Sequence, residues 1–283
     1  MVSVVIAAHN EAAVIGRCLD ALLADGADDL DVTVVANGCT DDTAAVARAR
    51  GVRVIDLPRP GKAAALNAGD AAAVGFPRLY LDADIPLSGA AVRTLAAALA
   101  SADGSPGAGP LAVVPRRRLD LAGRPLLVRA YYAIHARLPV FRDALFGRGA
   151  IMLSAAGRAR FDQFPDVIAD DLFLDSQFTP DEKREVPQVE SVVATPRRTR
   201  DLVRRLTRVR AGNAALRAGA GPDTGVRPAS RLSWLWDVAL PRPWLLPAAV
   251  CYVAITITAA LLARRRSRAT VWGRDESSRL ATD

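Results

Sequence analysis

Residues 2–11 read Val2-Ser3-Val4-Val5-Ile6-Ala7-Ala8-His9-Asn10-Glu11, an almost wholly apolar run that turns abruptly polar. An apolar run of this length, without alternation, predicts a strand covered on both faces. Working outward, three further runs repeat the pattern: Val32-Thr33-Val34-Val35, Val52-Arg53-Val54-Ile55 and Arg78-Leu79-Tyr80-Leu81. Between them lie stretches with apolar residues at helical spacing, Glu11–Leu23, Asp41–Ala49 and Ala63–Ala73. Strand and helix alternating roughly every 25 residues predict an α/β fold, a parallel sheet covered by helices on both faces. Met1 leads straight into the first run with no basic flank and no cleavage site, so no signal peptide is expected.

Each of these four runs ends in polar residues. The first ends in His9-Asn10-Glu11 and the second in Asn37-Gly38-Cys39-Thr40-Asp41-Asp42; the third runs into Arg59-Pro60-Gly61-Lys62 and the fourth into Asp82-Ala83-Asp84. In an open parallel sheet ligands bind at the carboxyl ends of the strands. Helix capping accounts for any one of these segments, since Thr40 and Asp41/Asp42 would cap the helix that follows. It does not account for four of them at one edge. Asp82 and Asp84 stand on a turn directly after a strand, and such a pair suits Mg²⁺ or Mn²⁺ with phosphates completing the shell.

Gly61-Lys62 is not a P-loop, because Asp56 stands where the first glycine belongs and Ala63 follows the lysine. No G-x-G-x-x-G follows the first run, which counts against a dinucleotide oxidoreductase. Lys62 reads as a lone cation beside a helix start. Asp170-Asp171 lies within a mostly apolar helical stretch; adjacent like charges raise one carboxyl toward a usable general base, and a solvated acidic edge is the plainer reading. His9 and His135 are the only histidines, and no serine or cysteine has a nucleophile's setting, so a triad hydrolase has little support.

The chain has 283 residues, 51% of them hydrophobic and 24% charged, enough to bury a sizeable core and inconsistent with disorder. Cys18, Cys39 and Cys251 are too few and too scattered for a disulfide framework or a zinc cluster. The net charge of +7 is almost all arginine, since Lys62 and Lys183 are the only lysines. The arginines crowd into 197–217 and 264–268, and aromatics are only 5%, so a nucleic-acid-binding surface is not expected. Further along, 104–110 reads as a Gly/Pro-rich loop, Leu111–Pro115 and Gly147–Leu153 as strands, Leu126–Leu138 as an apolar helix and Arg197–Arg217 as a basic one. Trp244–Ala263 carries no charge over twenty residues, a helix of about 30 Å that matches a bilayer's hydrocarbon core. Trp234, Trp236 and Trp244 precede or open it and Arg264-Arg265-Arg266 follow, as interfacial anchors would.

Taken together, the strand-end residues resemble the inverting family 2 glycosyltransferases with the GT-A fold, which implies a Rossmann-like mixed and mostly parallel sheet flanked by helices. The resemblance rests on residues 2–11, on Asn37-Gly38-Cys39-Thr40-Asp41-Asp42-Thr43, on Gly61-Lys62-Ala63-Ala64-Ala65-Leu66-Asn67-Ala68-Gly69, on Asp82-Ala83-Asp84 and on Asp170-Asp171, in order and spacing over about residues 2–215. It implies transfer of one sugar from a nucleotide-diphosphate sugar to an acceptor hydroxyl, with Mn²⁺ or Mg²⁺ held by Asp82 and Asp84. Asp171 would be the base, with Asp170 as the alternate. Ala8, His9, Glu11 and Asn37 would line the nucleoside pocket, with Asp82 on the donor. Lys62 would lie on its uracil or phosphate side. Arg205, Arg208 and Arg210 look like a loosened version of the arginine-bearing helix that closes over the diphosphate in some members. The implied division is a catalytic domain over 1–222 (a donor and metal half, 1–103, and an acceptor half, 104–222), a membrane-associated segment over 223–266 and a polar tail over 267–283.

The second turn departs from the family, carrying Ala36-Asn37 where Asp-Asp is usual, so UDP, GDP and dTDP sugars all remain open. The Gln-x-x-Arg-Trp sequence of processive synthases is absent, and a single apolar segment does not build a polymer channel. Sugar nucleotides are cytosolic, which places the catalytic domain on the cytoplasmic face of the cell membrane with a lipid-linked or membrane-proximal acceptor. A true span would then send Arg264–Arg268 outward against the positive-inside tendency; a re-entrant or in-plane helix broken near Pro241-Arg242-Pro243 and Pro247 would not. The competing readings are an inactive membrane-bound scaffold of the same fold and a sugar nucleotidyltransferase. The latter needs a glycine-rich basic loop where His9-Asn10-Glu11 stands.

Overall fold

The opening run is strand β1 (Val2–Ala8). The computed structural model describes residues 1–26, 28–100, 109–142, 144–166, 169–219 and 232–266, so the expected tail over 267–283, and most of the loop expected at 104–110, lie outside the described residues. After β1 come α1 (Ala12–Leu23), β2 (Leu30–Asn37), α2 (Thr43–Arg48), β3 (Arg53–Leu57), α3 (Lys62–Ala72), β4 (Arg78–Leu81) and α4 (Gly89–Ala100). β1 runs parallel to β2 and β4, and β2 parallel to β3, with Val4 opposite Val32 and Leu79. Apart from Ser3, β1 is apolar because it is covered on both faces. Val4, Ile6 and Ala8 pack with Ile15, Leu19 and Leu22 of α1 and with Val92 and Leu95 of α4. Val5 faces the other layer, with Ala63 and Leu66 of α3. Each such buried aliphatic side chain contributes about 1.5–3 kcal/mol. Gly69 sets how close α3 comes: a Cβ there would stand 2.4 Å from Val5 and 3.1 Å from Val35.

The second half adds β5 (Ala112–Asp120), α5 (Leu126–His135), β6 (Ala150–Leu153), α6 (Ala155–Arg158), α7 (Asp170–Ser176), β7 (Lys183–Ala194), α8 (Thr199–Gly219) and α9 (Leu246–Arg266). A π-turn at Trp234–Ala239 and a 3₁₀ turn at Pro243–Leu245 precede α9. The seven strands lie in the order β3-β2-β1-β4-β6-β5-β7, with β6 antiparallel to both β4 and β5. The sheet is thus a Rossmann-like mixed and mostly parallel one flanked by helices, as the GT-A resemblance implies, where the spacing alone predicts only the parallel part. Sequence reading leaves α4 and β7 unassigned. Half of β7 is polar, and only Lys183, Val186, Val189 and Ser191 along it are buried, so it shows no continuous apolar run.

The chain divides into two compact units, Met1–Arg118 with Leu145–Val193, and Leu119–Ala144 with Ala194–Asp283. In the first, Asp70 of α3 is buried beside the start of β4. It accepts from Arg78 (2.5 Å), the Tyr80 hydroxyl (2.7 Å) and Arg158 (2.6 Å). In the second, α9 packs on α5 and α8. Tyr252 stacks on Tyr131 at 5.1 Å, and the Thr207 hydroxyl donates to the Ala259 carbonyl at 3.5 Å.

Candidate active site

β4 ends at Leu81 and the chain turns through Asp82-Ala83-Asp84-Ile85. The Ile85 N–H donates to the Asp82 carbonyl (3.1 Å), and the Asp82 N–H donates to the Gly149 carbonyl (2.8 Å). Ala83 and Ile85 are buried while Asp82 and Asp84 are half-buried, so the apolar residues anchor the turn and the carboxylates are left at its surface. Beneath it, the Cys18 thiol of α1 donates to the Ile85 carbonyl at 3.2 Å. Burial, and then the charges of Asp84 and Asp82, push that thiol up to about 12. The three cysteines are free.

Lys62 is not the lone cation its sequence position suggests. Its Nζ lies 3.1 Å from Asp82 Oδ1 and 2.9 Å from Asp170 Oδ2. Burial works against its charge, yet Asp170, Asp82 and Asp171 outweigh it and hold the ammonium well above its ordinary range. α3 therefore brings one cation between the turn after β4 and the start of α7.

The two adjacent aspartates of α7 differ. Asp170 is buried and paired with Lys62. Asp171 accepts the Gly147 N–H at 3.2 Å, and its carboxyl is pushed up to about 7. Burial is the first cause and the Asp170 charge the second, with Asp82 adding to them, against the lowering pull of Lys62 and the Gly147 N–H. α7 is also held further along its length. The buried Asp175 accepts from Lys183 Nζ and from the Leu145 N–H, each at 2.9 Å.

The stretch 145–149 is thus hydrogen-bonded to Asp175, to Asp171 and to the turn at Asp82. Gly147 and Gly149 have φ of 73° and 69°. At Gly149 a Cβ would also meet Ile85 at 2.5 Å, so glycine is required on two counts. The cleft between these pieces is lined by Lys62, Asp82, Gly149, Phe164, Asp170 and Asp171.

The residues expected around a nucleoside are placed differently. Asn37 is buried at the end of β2, and its amide is consumed within the protein. It donates to the Ala8 carbonyl (2.7 Å) and accepts the Gly61 N–H (3.0 Å). Asn37 therefore stitches β1 and the start of α3 together. Ala8 is buried too, and so is Glu11, whose N–H donates to the Thr43 hydroxyl at 2.7 Å. His9 is half-buried, with Nδ1 2.6 Å from the Asn37 carbonyl. A carbonyl only accepts, so Nδ1 carries the proton. Arg205 and Arg208 lie on α8 in the second unit; both are half-buried, and Arg205 donates to the Ala194 carbonyl at 3.2 Å.

Among the described residues no group of three or more His, Cys, Asp or Glu side chains gathers as a metal cage. Asp82 and Asp84 supply an oxygen-only pair on one turn, a donor set that fits a hard cation whose remaining positions are left to a ligand.

Residues 3–107 match the model of the family described as Glycosyl transferase family 2. The chain is similar to a mannosyltransferase from Pyrobaculum calidifontis solved with GDP-Man and Mn²⁺, at 24% identity and a TM-score of 0.60, over 96% of this chain and 81% of that one. It is similar at 25% identity and a TM-score of 0.56 to glucosyl-3-phosphoglycerate synthase from Mycobacterium tuberculosis solved with phosphoglyceric acid, covering 81% of each chain. The same synthase solved with Mn²⁺, UDP and glucosyl-3-phosphoglycerate gives 24% and 0.56, again over 81% of each chain. No curated protein matches the chain. The sheet order, the strand-end site and these likenesses agree: the chain has the fold of the GT-A glycosyltransferases it resembles, and its residues 3–107 match the glycosyl transferase family 2 model.

Proposed function

We propose that the enzyme moves one sugar from a nucleotide-diphosphate sugar to an acceptor hydroxyl with inversion at the anomeric carbon. The observation that carries this is the Asp171 carboxyl, raised to about 7 and standing in the same cleft as Lys62 and Asp82. Asp171 takes the proton as the acceptor oxygen bonds to the anomeric carbon, and the bond from that carbon to the diphosphate oxygen breaks on the opposite face. The nucleoside diphosphate leaves with the bonding electron pair. Asp170 fixes Lys62, and Lys62 fixes Asp82, so the base and the turn keep their separation. Asp82 and Asp84 would hold Mn²⁺ or Mg²⁺, which when bound offsets the charge growing on the leaving group. The ions and nucleotides seen with the similar enzymes support this reading. His9 is assigned to the nucleoside side and Asp82 to the donor diphosphate.

The reading includes membrane association through 244–263, with catalysis on the cytoplasmic face and a lipid-linked or membrane-proximal acceptor. Its support is the helix over Pro243–Arg264, long and apolar enough to cross a bilayer. The test is a panel of UDP, GDP and dTDP sugars with Mn²⁺ or Mg²⁺, following donor hydrolysis by wild type and Asp84→Ala. Release of one nucleotide, only with metal and lost in Asp84→Ala, is the expected result. Turnover that is indifferent to metal and to Asp84→Ala would overturn the assignment of that turn.

A further inference from the structure

By sequence α9 is apolar all round, the mark of a span. The structure divides it. Ala249, Tyr252, Ile255 and Ala259, spaced three, three and four apart, form one buried stripe against α5 and α8. The opposite face carries Val250, Ile257 and Leu261, exposed at 70%, 53% and 53%. Trp236, Leu240 and Trp244 on the approach to α9 are exposed at 62%, 50% and 72%. Among the described residues nothing covers this second face.

We infer that α9 lies in the plane of an anionic lipid surface, with Trp236, Trp244, Val250, Ile257 and Leu261 entering the boundary between headgroups and acyl chains. This rests on the membrane reading above and decides its geometry. α8 accompanies α9 as far as the Thr207–Ala259 hydrogen bond, and α8 carries Arg204, Arg205, Arg208 and Arg210. A perpendicular α9 would draw those guanidinium groups into hydrocarbon, whereas an in-plane helix keeps them on the wet side. Charge selects the occupant. Arg242 and Arg264 bracket an uncharged stretch, tryptophans stand at one end, and a net charge of +7 attracts anionic headgroups while opposing a second copy of the chain.

The experiment is flotation of the full chain with vesicles of phosphatidylcholine, with and without phosphatidylglycerol, followed by alkaline carbonate extraction. Wild type is expected to float with the anionic vesicles and to be released by carbonate. The double variant Val250→Asn/Ile257→Asn should bind at least about 100-fold more weakly, two lost apolar insertions at roughly tenfold or more each. Its donor hydrolysis should be unchanged, which shows that the protein is folded. Carbonate-resistant binding would mean that α9 spans, overturning the in-plane geometry and leaving the membrane reading intact. Absence of vesicle binding would sink both. Light scattering then assigns the face: a dimer lost in the double variant to a second copy, a monomer to cover by the chain's own remaining segments.

Discussion

β4 and α3 each reach two polar clusters, one at either end, and the two are wired in opposite ways. At one end Asp70 meets Arg78, Arg158 and Tyr80; burial opposes its charge, but the hydrogen bonds from Arg158, Tyr80 and Arg78 outweigh that and hold its carboxyl below the ordinary 3.8. At the other end Asp171 has the Gly147 N–H and a share of Lys62 on one side of the balance, and burial with Asp170 and Asp82 on the other. A carboxylate whose partners exceed its charge is a structural knot. One whose partners fall short is left near neutrality with a proton to exchange, the condition a general base needs.

Four substitutions break or sharpen this contrast. Asp171→Asn should lower sugar transfer by about 10²–10⁴-fold, measured as kcat on the active donor and acceptor, because a positioned base contributes that much. Its stability should move the other way. A raised carboxyl contributes stability that is present below pH 3.8 and lost as pH rises through about 7. Thermal melts should therefore show Asp171→Asn above wild type at pH 8 and level with it near pH 4.

Asp70→Ala should do the reverse, leaving kcat per folded molecule intact and costing about 3–5 kcal/mol in a urea titration, since the buried Arg78 and the half-buried Arg158 guanidinium groups lose their partner. Asp70 in the wild type contributes stability above pH 3.8 that is lost as pH falls through its lowered folded value, so the variant should also lack part of the acid-unfolding transition.

Asn37→Asp is a smaller break. A carboxylate can accept from Gly61 but cannot donate to the Ala8 carbonyl, and the orphaned acceptor costs about 1–3 kcal/mol of denaturant stability. An unchanged midpoint would show that the Asn37 amide does not hold the loops. The smallest effect is on pH dependence. kcat/KM should rise with pH through about 7 as Asp171 loses its proton, and Lys62→Met should shift that rise upward by removing the ammonium that lowers it. A downward shift would mean that Lys62 does not act on Asp171.

The first half of the fold is legible in the sequence because its strands are buried on both faces. Val2–Ala8 and Arg78–Leu81 read at their observed limits. β7 escapes because most of its residues face water, and α4 because its alanine-rich sequence gives little contrast between faces. In the site, residue types were readable and their pairings were not. Lys62 and Asp170 are 108 positions apart, so their contact could not be seen in the chain, and without it Asp170 and Asp171 look alike. The Asn37 turn reads as a ligand loop until its amide is found closed on Ala8 and Gly61. Gly147–Leu153 reads as one strand, but the strand proper begins at Ala150, and Gly149 instead makes the close approach to Ile85.

The stretch 145–149 ties α7 to the turn at Asp82, and Asn37 ties the end of β1 to the start of α3, whose Lys62 reaches the same turn. On the proposed reading, changes in the loops around His9 and Cys39 alter nucleotide choice, while the hydrogen bonds through 145–149 keep Asp171 and the turn at Asp82 in place. On that reading the span between Asp171 and Asp82 acts as a ruler: an acceptor must place its hydroxyl at a set distance from the leaving phosphate, whatever nucleotide carries the sugar.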